Sequence, residues 1–89
     1  MKRRVHIVIK GRVQGVFFRA AIEERAKKLQ IKGWVRNMGD DVEAVFEGEG
    51  KAIKELLEFC HIGPKGAKVV AINIDEQAFL NECEEFRRE

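Results

Sequence analysis

Apolar residues alternate at Val5, Ile7 and Ile9, then change to helical spacing at Ala21, Ile22, Ala26 and Leu29. No feature constrains the fold more, because a period of two buries one face of a strand and a period near 3.6 buries one stripe of a helix. The alternation defines a first strand, with Val8 the one apolar residue out of phase and His6 in the opposite phase as a surface residue. The helix runs from Ala20 to Leu29 and turns Glu23, Glu24, Arg25, Lys27 and Lys28 outward. Gly33 to Asn37 begins a second strand, Gly39-Asp40-Asp41 turns the chain, and Val42, Ala44 and Phe46 alternate as the returning arm of a hairpin. Lys51 to His61 is a second helix, with Ile53, Leu56, Leu57 and Cys60 inward, and Gly63-Pro64 stops it. Val69 to Ile74 is a fourth strand. The order is β-α-β-β-α-β, in which both helices can cover one face of an antiparallel sheet. The tail is ambiguous, since Phe79, Cys83 and Phe86 have helical spacing; we read it as a short edge strand.

Residues 1–89 are expected to form one domain, without linker, repeat or low-complexity stretch. A content of 45% hydrophobic and 36% charged residues suits a soluble globular protein and excludes a disordered one. No apolar run approaches the ~20 residues of a membrane span. The basic start Met1-Lys2-Arg3-Arg4 is followed by too short an apolar run for a signal peptide, so a cytoplasmic location is expected.

Absences narrow the chemistry. The chain has no Ser, Thr or Tyr, which excludes a serine triad, a threonine nucleophile, a Walker A Lys-Ser/Thr pair and any phosphohydroxyl intermediate. Cys60 and Cys83 are too few for a zinc framework, and no metal site is expected. They read as reduced thiols, with a Cys60–Cys83 bridge left open. Residues 1–22 hold six Lys or Arg side chains and no acid, whereas residues 75–89 hold six acids against Arg87 and Arg88. A positive end would draw in an anion; equally, the two segments could lie together and pair.

Between the first strand and first helix stands Gly11-Arg12-Val13-Gln14-Gly15-Val16-Phe17-Phe18-Arg19. A two-glycine loop there can turn several backbone N–H groups toward one point, where a helix adds its own unpaired N–H groups and the positive end of its dipole. Gln14, Gly15, Val16, Phe17 and Phe18 would act through their amides, leaving their side chains free to differ, and Gly15 would supply a backbone angle other residues resist. Arg19 would bind two phosphoryl oxygens through its planar fork, unless it pairs with Glu23 one turn on. The natural guest is a doubly charged phosphate-like group.

That loop resembles the signature of acylphosphatases, small enzymes that hydrolyse carboxyl phosphates. Gly33-Trp34-Val35-Arg36-Asn37 is similar to the family's second motif, and Gly63-Pro64 with Ala67-Lys68-Val69 to its third, in the family's order. The resemblance implies a ferredoxin-like α/β sandwich of the α+β class and hydrolysis of acyl phosphates to carboxylate and inorganic phosphate. It implies a catalytic Arg19 and an Asn37 that orients the attacking water, with no metal, cofactor or covalent intermediate. By composition alone Asn37 suits the opening of a turn through Met38, Gly39 and Asp40; the motif assigns it the water instead. Phe18 and Trp34 are expected in the core, and Lys10, Arg12 and Arg36 as solvated charges. The expected partners are a small acyl phosphate and inorganic phosphate as product and inhibitor, with no membrane and no nucleic acid, and a monomeric state.

Three departures from the family pattern stand out: Met38 where many relatives carry a hydroxyl residue, a shorter turn after Asn37, and a last strand without the usual closing aromatic. Two alternatives stand beside the enzyme. A domain of the carbamoyl-phosphate-using hydrogenase-maturation type shares the shortened turn, although a chain ending at Glu89 without zinc-finger cysteines favours a free-standing enzyme. A ferredoxin-like RNA-binding module would use the basic start and need two or three aromatics exposed on the sheet.

Overall fold

Val5, Ile7 and Ile9 are fully buried, as their alternation requires, and form the inner side of the strand β1 (Lys2–Arg12). The structure, a computed structural model, describes residues 1–89. After β1 come α1 (Phe18–Lys28), β2 (Lys32–Met38), β3 (Asp41–Glu49), α2 (Gly50–Ile62), β4 (Lys68–Gln77) and β5 (Phe86–Arg88). The sheet order is β4-β1-β3-β2-β5. The first four strands pair antiparallel, and β5 adds to β2 in parallel, so the sheet is mixed rather than wholly antiparallel. This is the ferredoxin-like α+β sandwich.

Both helices press into the inner sheet face and share with it one cluster of 17 buried residues. Phe18, Ile22 and Ala26, four residues apart, carry the buried stripe of α1, and Ile53, Leu56, Leu57 and Cys60 that of α2. The first helix therefore begins two residues before Ala20: Phe18 is already a core residue, and Phe17, at φ 61, makes the turn into it. The Phe18 ring meets Phe59 of α2 edge-on at 6.1 Å. Cys60 is buried among these side chains, which pushes its thiol up to about 12, and Cys60 and Cys83 are both free thiols.

The opposite sheet face is a lattice of ion pairs. Arg36 and His6 flank Glu43, each 2.7 Å from one of its oxygens, and Lys10 lies 3.0 Å from Asp41. His6 does take the outward phase, but as a bound partner rather than a free surface group. Trp34 is also here, half-buried with the Arg36 guanidinium 5.0 Å above its ring, and so is not a core residue as expected. Trp34 and Arg36 are both in the outward phase of β2, on the face that the helices leave open, where a ring and a guanidinium can stack. Trp34 is the one aromatic on the outward strand positions, where an RNA-binding sheet would need several.

The chain must cross this outer face to travel from β4 at one edge to β5 at the other. Glu47, only 2% exposed, makes the crossing. Its Oε2 accepts the N–H groups of Leu80 at 3.2 Å and Asn81 at 3.0 Å, and Oε1 that of Cys83 at 3.3 Å. Arg4, its cross-strand neighbour, brings Nη1 to 3.0 Å as a charge contact and reaches Glu82 at 3.0 Å with Nη2. Burial alone would raise the Glu47 carboxyl; the bonds from Arg4 and from the Leu80 and Cys83 amides outweigh it and hold the group below its ordinary value. Arg3 likewise pairs with Glu76 at 2.8 Å. Much of the charge asymmetry between the two ends of the sequence is thus spent on pairing between neighbours. Once across, Phe86 enters the core against Phe46 at 6.0 Å, a burial worth about 2 kcal/mol that anchors β5.

A Glu47→Gln substitution leaves the buried Arg4 with only the exposed Glu82 as counter-charge and should cost about 3 kcal/mol at neutral pH in denaturant unfolding. A carboxyl held low in the folded state stabilises above its ordinary value of 4.5 and loses that contribution as pH falls through its folded value. The stability gap between wild type and Glu47→Gln should therefore narrow on acidification below about pH 4.5.

Candidate active site

The loop from Val13 to Phe17 leaves β1 just after a shift in its pairing with β4, between Lys10 and Gly11. Gly11 permits the shift: a Cβ there would lie 2.1 Å from the carbonyl oxygen of Lys68, so no other residue fits. Val13 then turns inward and is buried, tethering the loop to the core. Gly15 has φ 75 with open space around a notional Cβ, so its requirement is one of backbone angle alone, as the sequence suggested.

The resulting loop leaves its amides without partners in the chain. None of the backbone N–H groups of Gln14 through Ala20 donates to an acceptor within the chain. The N-cap of α1 makes no side-chain capping bond, and its first turn holds no acidic residue, so nothing offsets the positive end of the helix dipole. The loop and the start of α1 border a cavity of about 270 Å³ that Gln14, Gly15, Phe17, Arg19, Asn37 and Arg88 help to line. Unbonded amides beside guanidinium groups at one cavity have the chemistry to hold a tetrahedral oxyanion.

Two features of the loop differ from expectation. The Gln14 side chain is not free to vary: its Nε2 donates to the carbonyls of Gly39 at 2.6 Å and Asp41 at 2.9 Å. One side-chain amide thus clamps the cradle to the β2–β3 turn, because it is long enough to reach two main-chain carbonyls there. Phe18 cannot vary freely either, since its ring is 1% exposed in the core, as the reading of Phe18 as a core residue required.

Arg19 is half-buried, and the structure does not pair it with Glu23. Glu23 lies 3.2 Å from Lys27 and 3.4 Å from Arg88 instead. The Arg19 Nη1 donates to the main-chain carbonyl of Glu89, whose own N–H bonds to the Val35 carbonyl at 2.9 Å. A main-chain brace of this kind fixes the guanidinium while sparing most of its five N–H donors.

Asn37 is a β2 residue paired with Val42, and Gly39-Asp40 alone make the turn. Its amide therefore does not open the turn, and it forms no hydrogen bond in the protein; it lies exposed on the wall of the cavity. Arg36 and Lys10, taken as solvated charges, are held in ion pairs on the far sheet face, while Arg12 and Arg19 pair with no Asp or Glu side chain. No three His, Cys, Asp or Glu side chains converge to chelate a metal ion.

Sequence reasoning missed Arg88, the second guanidinium on the cavity. The available signal was its phase, two residues beyond the buried Phe86 in β5 and so on the same side of the sheet. That phase means something only once β5 is known to lie beside β2.

A family model described as Acylphosphatase matches residues 5–88. A relative of that name from Rubrobacter xylanophilus is 51% identical over 76 residues, which is 84% of this chain and 69% of that protein. The solved structure of an acylphosphatase from Coxiella burnetii superposes with a TM-score of 0.92 at 37% identity, covering 99% of this chain and 93% of that one. The structure of T. kodakarensis HypF matches with a TM-score of 0.83 at 28% identity, over 98% of this chain but 12% of that longer one.

Gln14→Leu removes both clamping bonds while keeping the loop backbone. It should cost about 1–2 kcal/mol in unfolding experiments. Inorganic phosphate, titrated calorimetrically, should bind several-fold more weakly as the amides lose their common orientation.

Proposed function

The chain belongs to the acylphosphatase family and hydrolyses acyl phosphates, and from that premise we propose that the Gln14–Phe18 amides and Arg19 bind the phosphoryl group while Asn37 orients the attacking water. The observation that carries this reading is the run of N–H groups from Gln14 to Ala20 without acceptors in the chain, on a loop and helix start that line one cavity with Arg19.

The chemistry follows from the substrate. A carboxylate is a good leaving group, so its departure needs no general acid. Charge accumulates on the three peripheral phosphoryl oxygens in a loose transition state, where fixed N–H dipoles and a guanidinium stabilise it most. Water attacks phosphorus in line with the leaving carboxylate as the P–O bond to the acyl group breaks; the departing group keeps that electron pair. The water proton ends on inorganic phosphate or in solvent. Asn37 can accept a hydrogen bond from this water through its side-chain oxygen and so hold it in line, a gain of positioning rather than of basicity. No covalent intermediate is required, which suits a chain without Ser, Thr or Tyr. Arg88 adds positive charge at the rim, tempered by Glu23.

All these groups come from one chain, so the reading requires no second subunit, and we take residues 1–89 to work as one monomeric, cytoplasmic domain. Neither α1 nor α2 is long and apolar enough to cross a membrane. Inorganic phosphate, presenting the same oxygens, acts as product and competitive inhibitor.

Benzoyl phosphate hydrolysis tests the assignment. Arg19→Ala should lower kcat/KM by about 10²–10³ and weaken inhibition by phosphate, as expected for losing a principal oxyanion donor. Asn37→Ala should lower kcat comparably while phosphate inhibition persists. Unchanged turnover by folded Arg19→Ala would remove that residue from the site, and loss of phosphate inhibition in Asn37→Ala would make Asn37 a binding group.

A further inference from the structure

The aromatic ring of Phe17 serves no purpose in the fold. It is 84% exposed, stands outside the core cluster and the residues packed against it, and meets no other ring or cation. Its backbone is in the left-handed region at φ 61, where a bulky side chain is unfavourable and Gly or Asn would be easier. Solvent exposure and backbone strain both disfavour phenylalanine here, and no packing offsets them. Yet Phe17 lines the same cavity as Arg19 and Asn37. As the residue preceding α1, it stands between the loop amides and those of the first helical turn.

From these observations we infer that Phe17 is a specificity-determining residue: its ring forms the apolar rim against which the acyl group of the substrate rests, biasing the enzyme toward acyl phosphates with aromatic or extended apolar acyl groups. The inference rests on the cavity being the phosphoryl site. A phosphoryl group on the amides and Arg19 fills the polar floor, and the acyl substituent must leave through the open side, where Phe17 offers an exposed apolar surface. An aromatic acyl group gains a face or edge contact with the ring, whereas an acetyl group is too small to cover it. The phosphoryl contacts are common to every substrate, so discrimination among acyl phosphates must come from such a rim. The contact is made in ground and transition states alike and is expected mainly in KM.

The test compares benzoyl phosphate with acetyl phosphate in wild type, Phe17→Asn and Phe17→Gly. Both replacements accept a left-handed backbone, so thermal unfolding should show folded proteins. Any effect on the Phe17 amide bears on both substrates and cancels in the ratio of their kcat/KM values. That ratio, benzoyl over acetyl, should fall about three- to tenfold in both variants, chiefly through a raised KM for benzoyl phosphate. An unchanged ratio, whether both activities fall together or neither does, overturns the role of Phe17 and leaves the phosphoryl site standing. Full activity of Arg19→Ala on both substrates removes that site, and the Phe17 inference with it.

Discussion

A buried carboxylate controls how this chain is closed. β4 and β5 occupy opposite edges of the sheet, and the segment between them crosses the face that the helices leave open. Glu47 lies under that crossing and accepts three of its backbone N–H groups, while Arg4 supplies the opposing charge. Removing two charges from water is expensive, so such a pair is retained only where additional bonds satisfy it, and here the crossing segment provides them. What depends on it extends beyond local stability. The crossing delivers Phe86 to the core beside Phe46, and β5 to the free edge of β2. From there Arg88 reaches the cavity and the Glu89 carbonyl reaches Arg19. A carboxylate on the outer sheet face thus sets the surroundings of a guanidinium at the end of the inner one.

The site itself is assembled from groups a stability-optimised fold would have satisfied. Seven consecutive N–H groups lack acceptors in the chain, α1 has neither a side-chain cap nor an acid in its first turn, and a phenylalanine holds the left-handed position. Each choice weakens the isolated helix start and favours an anion instead. The surrounding structure compensates from several directions: Val13 is buried below the loop, the Phe18 ring packs on Phe59, and Gln14 fastens the loop to the hairpin. Asn37 stands on that same hairpin. Clamping the loop to the turn therefore holds the proposed phosphoryl-binding and water-orienting groups in one rigid unit, which positional catalysis demands.

Much of this was legible in the sequence. Strand and helix phases were, because apolar periodicity is a local property: Val5, Ile7 and Ile9 face inward whatever their partners. The tail read as a short edge strand despite its helical spacing, and Phe86 alone of its apolar residues is buried. Trp34 was misjudged because aromatic character does not say which face of a strand is covered. Gln14 was misjudged because its backbone and side chain do different work, and only the hairpin carbonyls reveal the second.

The sequence by itself determined the order of elements, the inward residues, the absence of hydroxyl nucleophiles and the strand–loop–helix cradle with Arg19 at its edge. All of these are set by residues within about a helical turn of one another. Only the tertiary structure decided that Glu47 would be buried beneath residues 80–83, that Arg88 would join the cavity, that Glu23 would pair with Arg88 rather than Arg19, and that the Asn37 side chain would be left unbonded on the cavity wall. Those outcomes depend on contacts between residues far apart in the chain. A charged side chain carries no mark of its eventual partner; strand order and register choose it.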